Sequence, residues 1–204
     1  MSLTINDNNY FFIPPNNKNG LSTSLPSDFH KAKSFEFICD VEVDVEKMSE
    51  FNHQGYLMCL NGKHLGVFAG TDYIGVSLWT EHGEEKVEVF PKDMKRNQRI
   101  HFVCNLEKKY IEIKNTGNLW KSKKHYFEGE LVSDYRFSYL WIGCGNGFND
   151  DARFQFYGKL HKVEVIKNNK TIFKTDFKQK TKFKVFDQSN CGNHLIKYDK
   201  EWFE

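Results

Sequence analysis

Alanine is nearly absent from the 204 residues, and no window carries apolar residues at the i, i+3, i+4, i+7 spacing of an amphipathic helix. Those two absences exclude a helical bundle and leave strands to build the core. No apolar stretch approaches the length of a membrane span, and the N-terminus lacks the charged-then-apolar order of an export signal. The chain therefore reads as soluble and, as written, cytoplasmic. Charge of one sign is also missing. The 29 basic and 27 acidic side chains leave +2, so no global field draws nucleic acid. Two local basic runs, Lys121-Ser122-Lys123-Lys124-His125 and Lys178 to Lys184, read as solvated faces. The 5 cysteines are an odd number without metal-type spacing. Cys39 is in phase with Phe35, Phe37, Val41 and Val43, and Cys104 with Ile100, Phe102 and Leu106. Both read as small core residues of a reduced, intracellular protein. The His residues form no His-x-x-x-His arrangement, and there is no Gly-x-Ser-x-Gly elbow or phosphate loop.

Aromatic residues are plentiful: 16% of the chain, with 19 Phe and 9 Tyr, residues that favour strands and supply a large core. The length suits one sandwich domain. Residues 34–46 show the clearest alternation, with Phe35, Phe37, Cys39, Val41, Val43 and Val45 on one face. Glu36, Asp40, Glu42, Asp44 and Glu46 take the other. Further strands are expected over 55–60, 65–69, 74–80, 86–90, 99–106 and 109–114. Asn61-Gly62 and Glu107-Lys108 are hairpin turns between them. Pro14-Pro15-Asn16-Asn17 and Pro26-Ser27-Asp28 suit turns and edges. Strands at this spacing, without helices between, define an all-β antiparallel sandwich or barrel. Met1-Ser2-Leu3 has the form of an expression leader, and the chain reads as a domain cut from a larger protein.

Residues 139–166 narrow the choice. Leu140 and Ile142 share a face of a strand ending at Gly143, with Gly145 and Gly147 following; then Phe156, Gly158 and Leu160 precede an alternating strand holding Val163 and Val165. This order resembles the last two strands of concanavalin A-like domains of the laminin-G/pentraxin type. Ser34-Phe35-Glu36-Phe37 resembles their opening strand. Residues 187–194, Asp-Gln-Ser-Asn-Cys-Gly-Asn-His, resemble their "Asp-x-Ser-Gly-Asn-Gly-Asn-His" signature, with Cys191 where a small residue usually sits. The resemblance covers about residues 30–196 and implies a concanavalin A-like jelly roll in a single domain over 1–204.

Two constellations carry chemistry. Glu42-Val43-Asp44-Val45-Glu46 resembles the Glu-x-Asp-x-Glu catalytic strand of laminarinase-type glycoside hydrolases, which share this fold. That resemblance implies Glu42 as nucleophile, Asp44 as its support and Glu46 as proton donor. On a strand all three would project from one face, with the outer Cα atoms about 13 Å apart. The carboxylates would have to lean together to about 5–5.5 Å for a retaining mechanism. The second constellation is aromatic. Tyr73 and Trp79 fall opposite Ile74, Val76 and Leu78, and Tyr139 and Trp141 fall opposite Leu140 and Ile142. Aromatics off the core face suit stacking on a sugar ring; the competing reading packs them under loops. The loop carrying Asn146, Asn149, Asp150 and Asp151 offers amides to sugar hydroxyls and hard oxygens of the kind calcium takes. The leading expectation is a non-catalytic, lectin-like carbohydrate-binding module taking an oligosaccharide or polysaccharide. Its rivals are the hydrolase using Glu42, Asp44 and Glu46, and a protein-interaction or structural sandwich.

Overall fold

The computed structural model describes residues 3–5, 11–13, 32–50, 54–60, 65–94, 97–115, 120–132, 140–143, 156–179, 184–189, 191 and 194–197. In chain order these form β1 (Leu3–Ile5), β2 (Phe11–Ile13), β3 (Ser34–Val43), α1 (Val45–Glu50), β4 (Gly55–Leu60), β5 (Leu65–Ala69), β6 (Ile74–Thr80) and β7 (Gly83–Val89). They continue through β8 (Gln98–Asn105), β9 (Tyr110–Asn115), β10 (His125–Tyr126), β11 (Leu140–Ile142), β12 (Gly158–Lys167), β13 (Lys170–Thr175), β14 (Lys184–Val185) and β15 (Leu195–Lys197). The first sheet has the order β1-β12-β3-β8-β9-β10, with β13 also on β12. The second runs β14-β15-β2-β11-β4-β5-β6-β7. Every pairing between these strands is antiparallel.

Period-two alternation places the core. On β3 the odd residues Phe35, Phe37, Cys39, Val41 and Val43 are buried, while the even ones are only half-buried. They meet Ile100, Phe102 and Cys104 of β8, Ile111 and Ile113 of β9, and Leu160, Val163 and Val165 of β12. From the second sheet come Met58, Val67, Ile74, Val76, Leu78, Leu140 and Ile142. The result is a β-sandwich with one apolar layer between two sheets. Burial of a Phe of this layer is worth about 1.5–3 kcal/mol relative to its exposure. Burial also raises the thiols of Cys39 and Cys104, the latter to about 12, so neither forms a thiolate near neutrality.

Three sequence expectations are corrected. β3 stops at Val43 and a helical turn follows, where alternation alone would carry a strand to Glu46. Asp44 causes the break. Its Oδ1 accepts from Lys47 N at 3.0 Å and its carbonyl from Met48 N at 2.9 Å, which is an N-cap. Met48 then buries itself in the core, and Glu46 lies favourably in the first helical turn. Second, β7 begins at Gly83, earlier than Lys86, because Thr80 pairs with Gly83 and extends the β6–β7 hairpin through Glu84 and Glu85. Glutamate is a poor strand former, so that start was invisible to propensity. Third, Leu106 belongs to the turn after β8, and Lys109 takes a φ of 48° there. Asn61-Gly62 lies outside the described residues; β4 and β5 pair from Gly55 with Ala69 to Leu60 with Leu65.

The 187–194 signature links β14 to β15. Asp187 accepts from Lys174 N at 3.0 Å and from Ser189 N and Oγ at 2.8 and 2.7 Å, while its own N–H donates to His194 Nδ1 at 3.0 Å. These bonds pin the tail against β13.

Candidate ligand face on the second sheet

The second sheet has two differently built faces. Leu65, Val67, Ala69, Ile74, Val76 and Leu78 point into the sandwich, which turns Gly66, Phe68, Gly75, Ser77 and Trp79 outward. From β7 the outward residues are Glu84, Lys86 and Glu88, each exposed. Strand register pairs Trp79 with Glu84, Ser77 with Lys86 and Gly75 with Glu88. From β4, Tyr56 pairs with Phe68 and Cys59 with Gly66, on either side of a bulge.

An outward face exposed to water would leave its aromatics half wet. Here Tyr56 and Phe68 are almost fully buried. The glycines account for one side of each ring. A Cβ on Gly66 would strike the Tyr56 ring, and one on Gly75 would strike the Phe68 ring. The two rings therefore lie down on bare backbone, which only glycine permits. They meet edge to face, with centroids 5.8 Å apart at 66°. Tyr73 extends the row, 6.0 Å from Phe68, and exposed Phe90 lies 6.1 Å beyond it. Lys86 spreads over this floor, its Nζ 4.9 Å from the Phe68 centroid and 5.9 Å from that of Tyr73, held by Glu88 at 2.6 Å.

Trp79 stands at the other end of β6, about 20 Å from Tyr73 by strand rise. It is 43% exposed, with Glu84 across the strand pair and Val132, also exposed, donating its N–H to the Trp79 carbonyl at 2.9 Å. Between the two ends Ser77 Oγ is fully buried, lacks a well-formed hydrogen bond and lies beside the Tyr56 hydroxyl. Burial raises the Tyr56 phenol to about 12, and burial raises Tyr73 against the opposing pull of Lys86. Both stay protonated near neutrality as hydrogen-bond donors.

The structure brings Tyr73 and Trp79 onto this face. Trp141 sits centrally in the sheet, opposite Phe12 on one side and Cys59 on the other, and its neighbours Leu140 and Ile142 are buried. The Trp141 side chain, Tyr139, Asn146, Asn149, Asp150 and Asp151 lie outside the described residues. Sequence reasoning missed Tyr56, Phe68, Lys86, Glu84 and Glu88. The available signal was Gly66 and Gly75 inside strands, a mark of close approach.

The acidic trio is not assembled. Glu42 lies on the outward face of the first sheet, where its carboxylate meets His161 Nε2 at 2.9 Å and Lys159 Nζ at 3.4 Å. Partial burial pushes its pKa up, but Lys159 and His161 outweigh it and hold the carboxyl below its ordinary value. Asp44 is spent on the helix cap, and Glu46 is exposed on α1. With strand geometry lost after Val43, the three carboxylates do not share a face. Among the described residues no group of three or more His, Cys, Asp or Glu could hold a metal ion.

No family model matches the chain, and no curated protein sequence matches it. Solved structures do. A candidate carbohydrate binding protein from Bacteroides ovatus aligns with a TM-score of 0.64 at 13% identity, over 95% of this chain and 56% of that one. The CBM40 module of a Ruminococcus gnavus IT-sialidase, bound to α2,3-sialyllactose, aligns with a TM-score of 0.51 at 9% identity, over 66% of this chain and 76% of that one. Domains LG4–5 of the mouse laminin α1 chain give 0.51 at 8% identity, over 83% of this chain and 42% of that one. This chain thus spans little more than half of the Bacteroides ovatus chain. At these identities the likeness is one of fold: the sandwich is a concanavalin A-like jelly roll, as the sequence motifs implied.

Proposed function

We propose that this chain is a non-catalytic carbohydrate-binding module that takes an oligosaccharide or polysaccharide on the outward face of its second sheet. The observation that carries the reading is Trp79, a large ring left 43% exposed on the outward face of β6 with the Glu84 carboxylate across the strand pair. A pyranose has an apolar face that stacks on indole, while its hydroxyls donate to Glu84, the cross-strand partner of Trp79. The carbohydrate-binding structures that share the fold support the same class of ligand. The loop with Asn146, Asn149, Asp150 and Asp151 is proposed to add amide contacts and, through its acids, a calcium ion. Dispersal of Glu42, Asp44 and Glu46 over a strand, a cap and a helix argues against hydrolysis by that trio.

Glycan-array screening followed by calorimetry tests this. A saccharide binds, and Trp79→Ala weakens it by about 1–3 kcal/mol, as loss of an aromatic anchor does, with the fold retained. Repeating the titration in EDTA tests the calcium contribution. An array without any bound saccharide, or an affinity indifferent to Trp79→Ala, overturns the assignment.

A further inference from the structure

The outward face of the first sheet balances its charges along most of its width. Arg99 forks onto Asp40 at 2.7 and 2.8 Å, His101 meets Glu36 at 2.6 Å, and His161 and Lys159 meet Glu42. The balance fails at the β9–β10 edge. Lys114 of β9 stands directly opposite Lys121 in an antiparallel bridge. The flanking backbone bonds, Asn115 N to Trp120 O at 2.9 Å and Ser122 N to Ile113 O at 2.7 Å, make this a non-hydrogen-bonded pair. Side chains approach closest in such pairs, with Cβ atoms about 4.5–5.5 Å apart, and like charges there destabilise a sheet. Lys123 and Lys124 follow, both exposed. None of these lysines has a carboxylate within ion-pair reach among the described residues, and Glu112 is the sole acid on β9. Lysines on an edge strand guard against aggregation, which covers Lys121. That does not cover Lys114, which lies on a strand paired on both sides.

Beside the lysines lies an aromatic pair. Tyr110 and Tyr126 are cross-strand partners with centroids 5.8 Å apart, Lys124 Nζ sits 4.4 Å from the Tyr110 centroid, and Tyr126 is 67% exposed. From Lys121 to Tyr126 the strip runs about 17 Å.

We propose that this strip, Lys114, Lys121, Lys123 and Lys124 with Tyr126, is a second binding site, for a linear anionic polysaccharide bearing sulfate or uronate groups. It lies on the opposite sheet from Trp79 and goes beyond the reading of that face. An uncompensated lysine pair persists where a ligand supplies the missing negative charge. Compact ammonium groups suit isolated sulfates or carboxylates, and the strip contains no arginine fork of the kind that reads phosphate and bases. The tyrosine rings are tilted 58° to each other, so they do not offer parallel shelves for successive bases. One exposed ring suffices for the apolar face of one sugar.

The test titrates the whole chain with chondroitin sulfate and with polygalacturonate at low and moderate salt. Dextran serves as neutral control and oligo-dT as nucleic-acid probe. At least one acidic polysaccharide binds more tightly than dextran and oligo-dT, and its affinity falls steeply with salt through counterion release. K121E/K124E loses about tenfold or more of that affinity, as removal of several charge contacts does, with the fold retained in thermal unfolding. K123Q/K124Q, which leaves Lys121 intact, also weakens it. The proposal falls if neither polysaccharide binds at low salt, if oligo-dT or dextran binds as tightly, or if the folded lysine variants bind like wild type.

Discussion

Gly66→Ala is the sharpest probe of how the second sheet's outward face is built. Gly66 lies inside β5, and a methyl group there meets the Tyr56 ring at a distance no real Cβ tolerates. On its own, alanine in a strand would stabilise by about 0.5–1 kcal/mol, because it loses less backbone entropy on folding. Lifting a nearly buried ring off its seat is an overpacking cost of about 1–3 kcal/mol. Subtraction leaves a net loss of about 0–2.5 kcal/mol for the single change. Tyr56→Leu removes the obstacle at a cost of its own of about 1–3 kcal/mol. In that background Gly66→Ala becomes neutral or stabilising by up to about 1 kcal/mol. The expected coupling is therefore about 1–3 kcal/mol, measurable by a double-mutant cycle from urea unfolding midpoints at constant m. Equal effects of Gly66→Ala in the two backgrounds would refute the claim that ring and glycine are made for each other. The same variant should weaken any sugar bound at Trp79, since Ser77 and Lys86 share the displaced ring's surroundings.

Three further outcomes follow from the geometry. Asp44→Ala deletes the cap of α1 and costs about 1 kcal/mol in urea unfolding, whereas Asp44→Ser retains most of it; equal losses would place the role of Asp44 elsewhere. Glu42 has a folded pKa held below its ordinary 4.5, so the stability it contributes is present above that value and is lost as pH falls through it. The difference in unfolding midpoint between wild type and Glu42→Gln should thus be visible at neutral pH and close under acid, and a difference that persists at low pH would contradict the ion-pair origin. Lys121→Glu turns the repulsive pair with Lys114 into an attractive one and should raise stability by about 0.2–1 kcal/mol, read by thermal unfolding; a fall would show that the two ammonium groups do not oppose each other.

Much of this protein is written locally. Alternation in residues 34–43 sets which side chains of β3 enter the core, because a strand turns successive side chains to opposite faces whatever lies beyond it. The same rule placed Ile74, Val76 and Leu78 inward and left Trp79 outward, as the structure has it. Past Val43 the alternating pattern continues in the sequence while the strand does not. A single Asp44 side chain captures the next turn's N–H, and that separated Glu42, Asp44 and Glu46. Partners across the sheets were beyond local reading. Tyr56 and Phe68 meet over Gly66 and Gly75 only once β4, β5 and β6 are in register, and Lys114 faces Lys121 only after the chain has returned alongside β9. Periodicity carries the facing of each side chain because it depends on neighbours in the chain. Which ring covers which glycine, and which charge is left unmatched, depends on strands brought together by burial of the shared core, so only the tertiary structure decides them.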